Sequence, residues 1–285
     1  MSGPPKRLLR SRAVGVVVPV HNERELLAPA LGAIEKSFAA TASWLLERAL
    51  VIVLDSCDDG SSQVAHEFTS RLKFSRPEIQ TRVVVCPARN VGVARALGCA
   101  ELFNMWTTID AAEIWIATTD ADSRVPEEWL SAQIRAHEEG ADLWTGRIAV
   151  EDWTSYDADT RKTWTSMYDA EAFPIHGASL GFNALAYSEV GGFPRLATGE
   201  DRQLCGLLFE CGARWTQDTS VRVTTSARRV ARAPRGFSFA LEKIDAAMAS
   251  VVGGLHEGGV TREVNRPLRE VPSAPTTAEL AVGAT

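Results

Sequence analysis

Four short apolar runs, each closed by a polar residue and joined to the next through a segment of helical period, restrict this 285-residue chain to few folds. Val14 to Val18, Ala49 to Leu54, Arg82 to Cys86 and Ile114 to Ala117 are apolar and largely β-branched, the composition of strands buried on both faces. Between them, Leu26, Leu27, Ala30, Ile34 and Phe38 recur at helical spacing, as do Val64, Ala65, Phe68 and Leu72 between Gln63 and Leu72. A small-residue stretch from about Val91 to Trp106 supplies a third helix. The order β-α-β-α-β-α-β predicts an α/β fold with a mostly parallel sheet and helices on both faces. In such sheets ligands gather beyond the carboxyl ends of the strands. The residues that close the runs fall at that edge: Pro19-Val20-His21-Asn22-Glu23, then Asp55, Arg89-Asn90, and Asp120-Ala121-Asp122. Asn22 is expected to cap the first helix, with Glu23 and Glu25 in its first turn.

The second half is less regular. A helix is expected over Glu127 to Glu138, a strand over Leu143 to Val150, and a Trp- and Tyr-rich helix over Trp153 to Ala172. Phe173 to Phe193 should make a strand, a turn and a short helix, and Glu200-Asp201 opens a helix to about Cys211. A further helix is expected near Phe237 to Val252, and the Pro/Ala/Thr-rich end from about residue 267 reads as disordered. The divisions that follow are a flexible segment 1–13, a ligand-binding half 14–125, a catalytic half 126–255 of the same domain, and a tail 256–285.

A net charge of −6 and a pI near 5.5 speak against general nucleic-acid binding, so a ligand must be recognised locally. Cys57, Cys86, Cys99, Cys205 and Cys211 show no CxxC spacing, which indicates neither a disulfide framework nor a zinc site and suggests a reducing, cytoplasmic setting. The apolar run Val14 to Val20 is too short to span a bilayer. The first half has neither GxGxxG nor GxxxxGK[ST], which weakens dehydrogenase and P-loop readings.

Asp120 and Asp122 are separated by one residue just past a strand. If the chain stays extended, both carboxylates aim at one spot. Two such anions call for a cation, and hard oxygen donors suit Mn²⁺ or Mg²⁺ with positions left for a diphosphate. The alternative is a solvated turn in which Asp122 or Ser123 caps a helix opening near Pro126.

The set VVVPVHNERELL, LDSCDDGS, ARNVGVARALG, TTDADS, GASLGF, VGGF and GEDRQL resembles, in order and spacing, the family-2 glycosyltransferases of GT-A fold over roughly Val14 to Arg235. The resemblance implies a Rossmann-like GT-A sheet with a mixed acceptor-side half and a site for a UDP- or GDP-linked sugar. The VPVHNE segment and Asp55 would lie around ribose and base, Asp120 and Asp122 would be the metal-binding DxD, and Asp201 the catalytic base. Ser179 stands where many relatives carry Asn. The QxxRW motif and the membrane helices of processive members are absent, which fits transfer of one sugar to a small or lipid-linked hydroxyl; Asp201 acting as base implies inversion.

Each residue has a plainer reading beside this one. Asp55 suits a base imide or an Asx turn; Glu23 suits ribose hydroxyls or a helix start; Arg89 suits the diphosphate, Asp120 or solvent. Glu200 and Asp201 also favour a helix start by themselves. His176, before Gly177, would touch acceptor or metal or be structural, and His256 is a candidate third metal ligand. Arg222, Arg228, Arg229, Arg232 and Arg235 suit an anionic diphosphate or acceptor, or a peripheral membrane contact at the inner face. Trp144, Trp153, Trp164 and Tyr168 are a sugar platform or core. Three other readings stay open: a retaining enzyme resembling glucosyl-3-phosphoglycerate synthase, with an anionic acceptor; a nucleotidyltransferase, although VPVHNERELL lacks a glycine-rich basic loop; and a non-catalytic nucleotide-binding module.

Overall fold

The computed structural model describes residues 11–41, 47–227 and 241–246. Its first strand, β1 (Ala13–Val20), is buried at all eight positions. Val14, Val16, Val18 and Val20 pack into one core and Val17 into another on the opposite face, the alternation that a strand covered on both sides requires. Parallel to it run β2 (Glu47–Asp55) and β4 (Ile114–Thr118), and β3 (Ile79–Cys86) pairs with β2.

The helices α1 (Leu27–Ala39), α2 (Ser61–Ser75) and α4 (Trp129–Glu138) bury Leu31, Phe68 and Trp129 in the first core. On the other face, α3 (Val91–Met105), α6 (Ala184–Glu189) and α7 (Glu200–Glu210) contribute Leu102, Tyr187 and Leu208. The small residues of α3 have a clear cause. A Cβ at Gly98 would stand 2.3 Å from Val17 Cγ1, so the helix lies on the sheet as closely as it does only because Gly98 carries none.

The full sheet has the order β3-β2-β1-β4-β6-β5-β7. The chain winds outward through β2 and β3, then returns to place β4 on the other side of β1, so the strand order reverses between β1 and β4. Beyond β4 the sheet changes character. The short β6 (Leu180–Asn183) is antiparallel to both β4 and β5 (Leu143–Val150), and β7 (Trp215–Thr225) is parallel to β5. The result is a seven-stranded, mostly parallel α/β sheet with a mixed far half.

The structure corrects several expectations. Asn22 does not cap α1, which opens at Leu27; its side chain instead accepts the Asp58 N–H across to the next loop. Helix α5 (Ala158–Ala170) begins later than Trp153, because Asp157 caps it by accepting the Thr160 N–H at 2.6 Å. Strand β7 arises in a stretch that did not read as an element. The helix near Phe237 to Val252 is seen over residues 241–246, whereas the basic N-terminal segment up to residue 10 and the tail from residue 256 lie outside the described residues.

Candidate active site

The loops that follow β1, β2 and β3 are strapped to one another. His21 Nδ1 lies 2.6 Å from the Asp55 carbonyl, and the Glu23 N–H donates to Ser61 Oγ at 2.8 Å. The Asp55 carboxylate, 4% exposed, accepts the N–H groups of Arg89 and Asn90, each at 2.7 Å. Asp55 therefore crosses to the neighbouring strand end instead of closing an Asx turn of its own. Asn90 caps α3 through the Val93 N–H. Pro19 and Val20 belong to β1 and are buried. Each of the three loops has a left-handed residue shortly after its strand: Asn22 has φ 57°, Ser56 φ 53° and Arg89 φ 48°. Such conformations cost side-chain-bearing residues about 1–2 kcal/mol each and persist where the surroundings enforce them, as at ligand sites.

Next to these loops β4 ends at Thr118, and the chain turns instead of remaining extended. The Ser123 N–H returns to the Asp120 carbonyl at 3.1 Å, so Asp120-Ala121-Asp122-Ser123 is a turn, of the kind that Asp and Ser favour. The extended-chain argument for aligning Asp120 and Asp122 is thus replaced by turn geometry. The helix-cap alternative also fails: α4 starts at Trp129, and Ser123 Oγ bonds Asp122 and Thr225 instead.

A residue that sequence reading passed over ties this turn to the rest of the site. Arg95, on α3 and 2% exposed, ion-pairs with both Asp120 and Glu200, and its Nε donates to Thr118 Oγ1 at 3.2 Å. A Cβ on Gly177 would stand 2.2 Å from Arg95 Nη2, so that glycine makes room for the guanidinium. The signal was present in the sequence. Arg95 falls on the stripe Gly92, Cys99 and Leu102 of an otherwise small and apolar helix, where a cation needs buried partners.

Helix α7 opens after Gly199, at φ 79°, with Glu200 and Asp201 in its first turn. Glu200 is 4% exposed and faces Arg95. Asp201 accepts the Gly177 N–H on one oxygen and the Arg202 N–H on the other, both at 2.8 Å. Beside it, His176 Nε2 is buried without a hydrogen-bond partner, and burial pushes the imidazole down to about 4 despite the neighbouring Asp201. The His176 ring lies 5.5 Å from that of Tyr168, which stacks on Trp164 at 4.8 Å. Trp144 is core, and Ser179, fully buried, accepts the Trp129 indole N–H at 3.3 Å.

The structure thus gathers His21, Asn22, Glu23, Asp55, Arg89 and Asn90 into one strapped group. It joins Asp120 to Glu200 through Arg95, and brings His176 and Gly177 beside Asp201. Arg228, Arg229, Arg232, Arg235 and His256 lie outside the described residues, and Arg222 is exposed on β7. Among the described residues no three His, Cys, Asp or Glu side chains gather as a metal site. The two carboxylates at the β4 turn are hard oxygen donors, and the Asp120 side chain is 38% exposed. That donor set fits a divalent ion with positions left over for further oxygen ligands. The five cysteines are free, and among the described residues no helix is long and apolar enough to cross a membrane.

Several solved structures share the fold. A mannosyltransferase from Pyrobaculum calidifontis, PcManGT, in complex with GDP-Man and Mn²⁺, superposes with a TM-score of 0.56 at 17% identity, over 88% of this chain and 77% of that one. S. aureus TarS 1-349 in complex with UDP gives 0.53 at 13% identity, over 82% and 64%. Glucosyl-3-phosphoglycerate synthase from Mycobacterium tuberculosis, with Mn²⁺, UDP and phosphoglyceric acid, gives 0.51 at 15%, over 85% and 79%. The present chain spans only 37% of the longer TarS chain. No curated protein matches by sequence. The model of the family described as glycosyl transferase family 2 matches residues 15–188, more than half of the sequence, and the chain belongs to that family.

Proposed function

We propose that this protein transfers one sugar from a UDP- or GDP-linked donor to an acceptor hydroxyl, with Mn²⁺ or Mg²⁺ held at Asp120 and Asp122. The observation that carries this reading is the Arg95 bridge, which links the acidic turn after β4 to the acids that open α7. On this reading Arg95, buried between them, holds the donor-side turn against Glu200, the neighbour of the reactive Asp201. The strapped loops after β1 to β3 supply the base and ribose side. A divalent ion, when bound, would neutralise charge developing on the leaving diphosphate. Arg95 holds Asp120 in place, and Asp201 is oriented by the Gly177 N–H. In the inverting reaction the acceptor oxygen bonds to the anomeric carbon as the bond to the diphosphate breaks, and Asp201 takes the hydroxyl proton.

One observation favours a second reading. Both Asp201 oxygens already accept backbone N–H groups, which suits a carboxylate that stabilises charge without taking a proton, as retention of configuration would allow. The anomeric configuration of the product, read by NMR, separates the two.

The test is transfer and donor hydrolysis with UDP- and GDP-sugars in the presence of Mn²⁺. Asp201→Asn is expected to lower inverting transfer by about 10²–10⁴-fold with nucleotide binding retained, and Asp122→Ala to remove the metal dependence. Absence of turnover with every donor, together with no effect of Asp122→Ala on nucleotide binding, would sink the reading.

A further inference from the structure

Strands β5 and β7 pair regularly from Leu143↔Trp215 to Gly146↔Asp218, then resume at Arg147↔Arg222. Residues 219–221 are looped out, and Asp218 fixes the loop by accepting the N–H groups of Ser220 at 2.8 Å and Val221 at 3.3 Å. Irregularities of this kind re-aim side chains beside active sites. The residue at this one is Arg147, 8% exposed.

The surroundings of Arg147 are unusual for a buried cation. One Nη donates to the Tyr168 carbonyl at 2.6 Å, and the guanidinium carbon lies 4.8 Å from the centre of the Tyr168 ring. Nε is buried with no hydrogen-bond partner. Among the described residues its contacts are a carbonyl and a ring, and no carboxylate pairs with it. Buried charges are normally paired, and a guanidinium presents a fork that matches carboxylate and phosphate oxygens. The other neighbour of the Tyr168 ring is His176, whose Nε2 is likewise buried and partnerless. His176 precedes Gly177, whose N–H holds Asp201.

Resting on the glycosyltransferase reading, we propose that Arg147 and His176 form an anion subsite beside Asp201. It takes the phosphate or carboxylate group of an acceptor whose hydroxyl is presented to Asp201. The guanidinium supplies the charge and the fork, and the neutral imidazole donates from Nε2. Tyr168, packed against both, sets their spacing. The acceptor class is then a hydroxylated acid or phosphate ester, and an acceptor with neither group would leave the buried cation uncompensated.

The experiment titrates inorganic phosphate, and separately malonate, into the full chain with Mn²⁺ and UDP or GDP at saturation, so that the diphosphate position is already filled. Thermal stabilisation and isothermal calorimetry are read for wild type, Arg147→Met and His176→Ala. Expected is a saturable rise in Tm with at least one anion; the stronger of the two identifies a phosphate ester or a carboxylate. Arg147→Met should weaken that anion by about ten- to a hundredfold, the loss of charged hydrogen bonds, and without anion should melt no lower than wild type. His176→Ala should weaken it several-fold and serves as the readout if Arg147→Met does not fold. No response to either anion, equal responses in wild type and both variants, or an Arg147→Met protein that melts lower and keeps the full anion response would overturn the subsite. If neither UDP nor GDP binds wild type, the donor reading fails by itself, and the anion titration is still read on the free protein.

Discussion

Arg95 and Arg147 are both buried, and their charges are balanced in opposite ways. Arg95 meets Asp120, Glu200 and Thr118, all supplied by the chain itself. Arg147 meets a carbonyl and an aromatic ring. A charge compensated from within can be part of the architecture before any ligand arrives. One left uncompensated ties part of its stability to something from outside. The half built on parallel strand ends is closed on itself, whereas on the proposed reading the half built around an antiparallel strand and a bulge is left to be completed by a ligand.

The sharpest way to break this comparison is to remove Arg95. Arg95→Ala strands Glu200, 4% exposed, without its partner, and should cost about 3–5 kcal/mol in urea denaturation as well as abolishing transfer. A cost under about 1 kcal/mol would mean that the bridge is not what joins the two halves.

Acid is a gentler probe. Burial pushes both His137 and His176 down to about 4, and both should be neutral in the folded protein. Between about pH 4 and 6.5 the unfolded chain binds protons that the folded chain does not, so stability falls as pH drops through that window. The loss should be on the order of 2–3 kcal/mol for each histidine. His137, satisfied by Ser11 and the Ala112 carbonyl at the opposite edge of the sheet, should contribute a slope that anions do not alter. The His176 part should shrink when phosphate is present, and urea midpoints against pH for His137→Asn and His176→Asn separate the two.

The smallest effect concerns the glycine beside Arg95. Gly177→Ala would place a methyl 2.2 Å from Arg95 Nη2 and should cost about 1–3 kcal/mol, with a loss of transfer exceeding the loss of nucleotide binding. Equal losses of both would show that Gly177 serves packing alone.

The parallel half was largely legible in the sequence, because strands buried on both faces write their environment into unbroken apolar runs. Asp55 and Asp120 could be picked out for a related reason: each follows a run that stops abruptly. Strand β7 was not legible, since it is half-exposed and reads TQDTSVRVTT, a polar composition shared with loops. Arg95 was missed because its partners, Glu200 above all, are brought to it only by the fold. The turn at Asp120 to Ser123 was misjudged because spacing fixes side-chain direction only while the backbone stays extended.

Strand β6, four residues long, lies between β4 and β5 and pairs with both. A fragment cut after β5 loses both β6 and β7, which bares the outer edge of β4 and both edges of β5, with unpaired N–H and C=O groups ready to recruit strands from other copies. The parallel half therefore cannot be excised as a self-sufficient module. Any hybrid that grafts it onto a relative must carry the closing strand along with it.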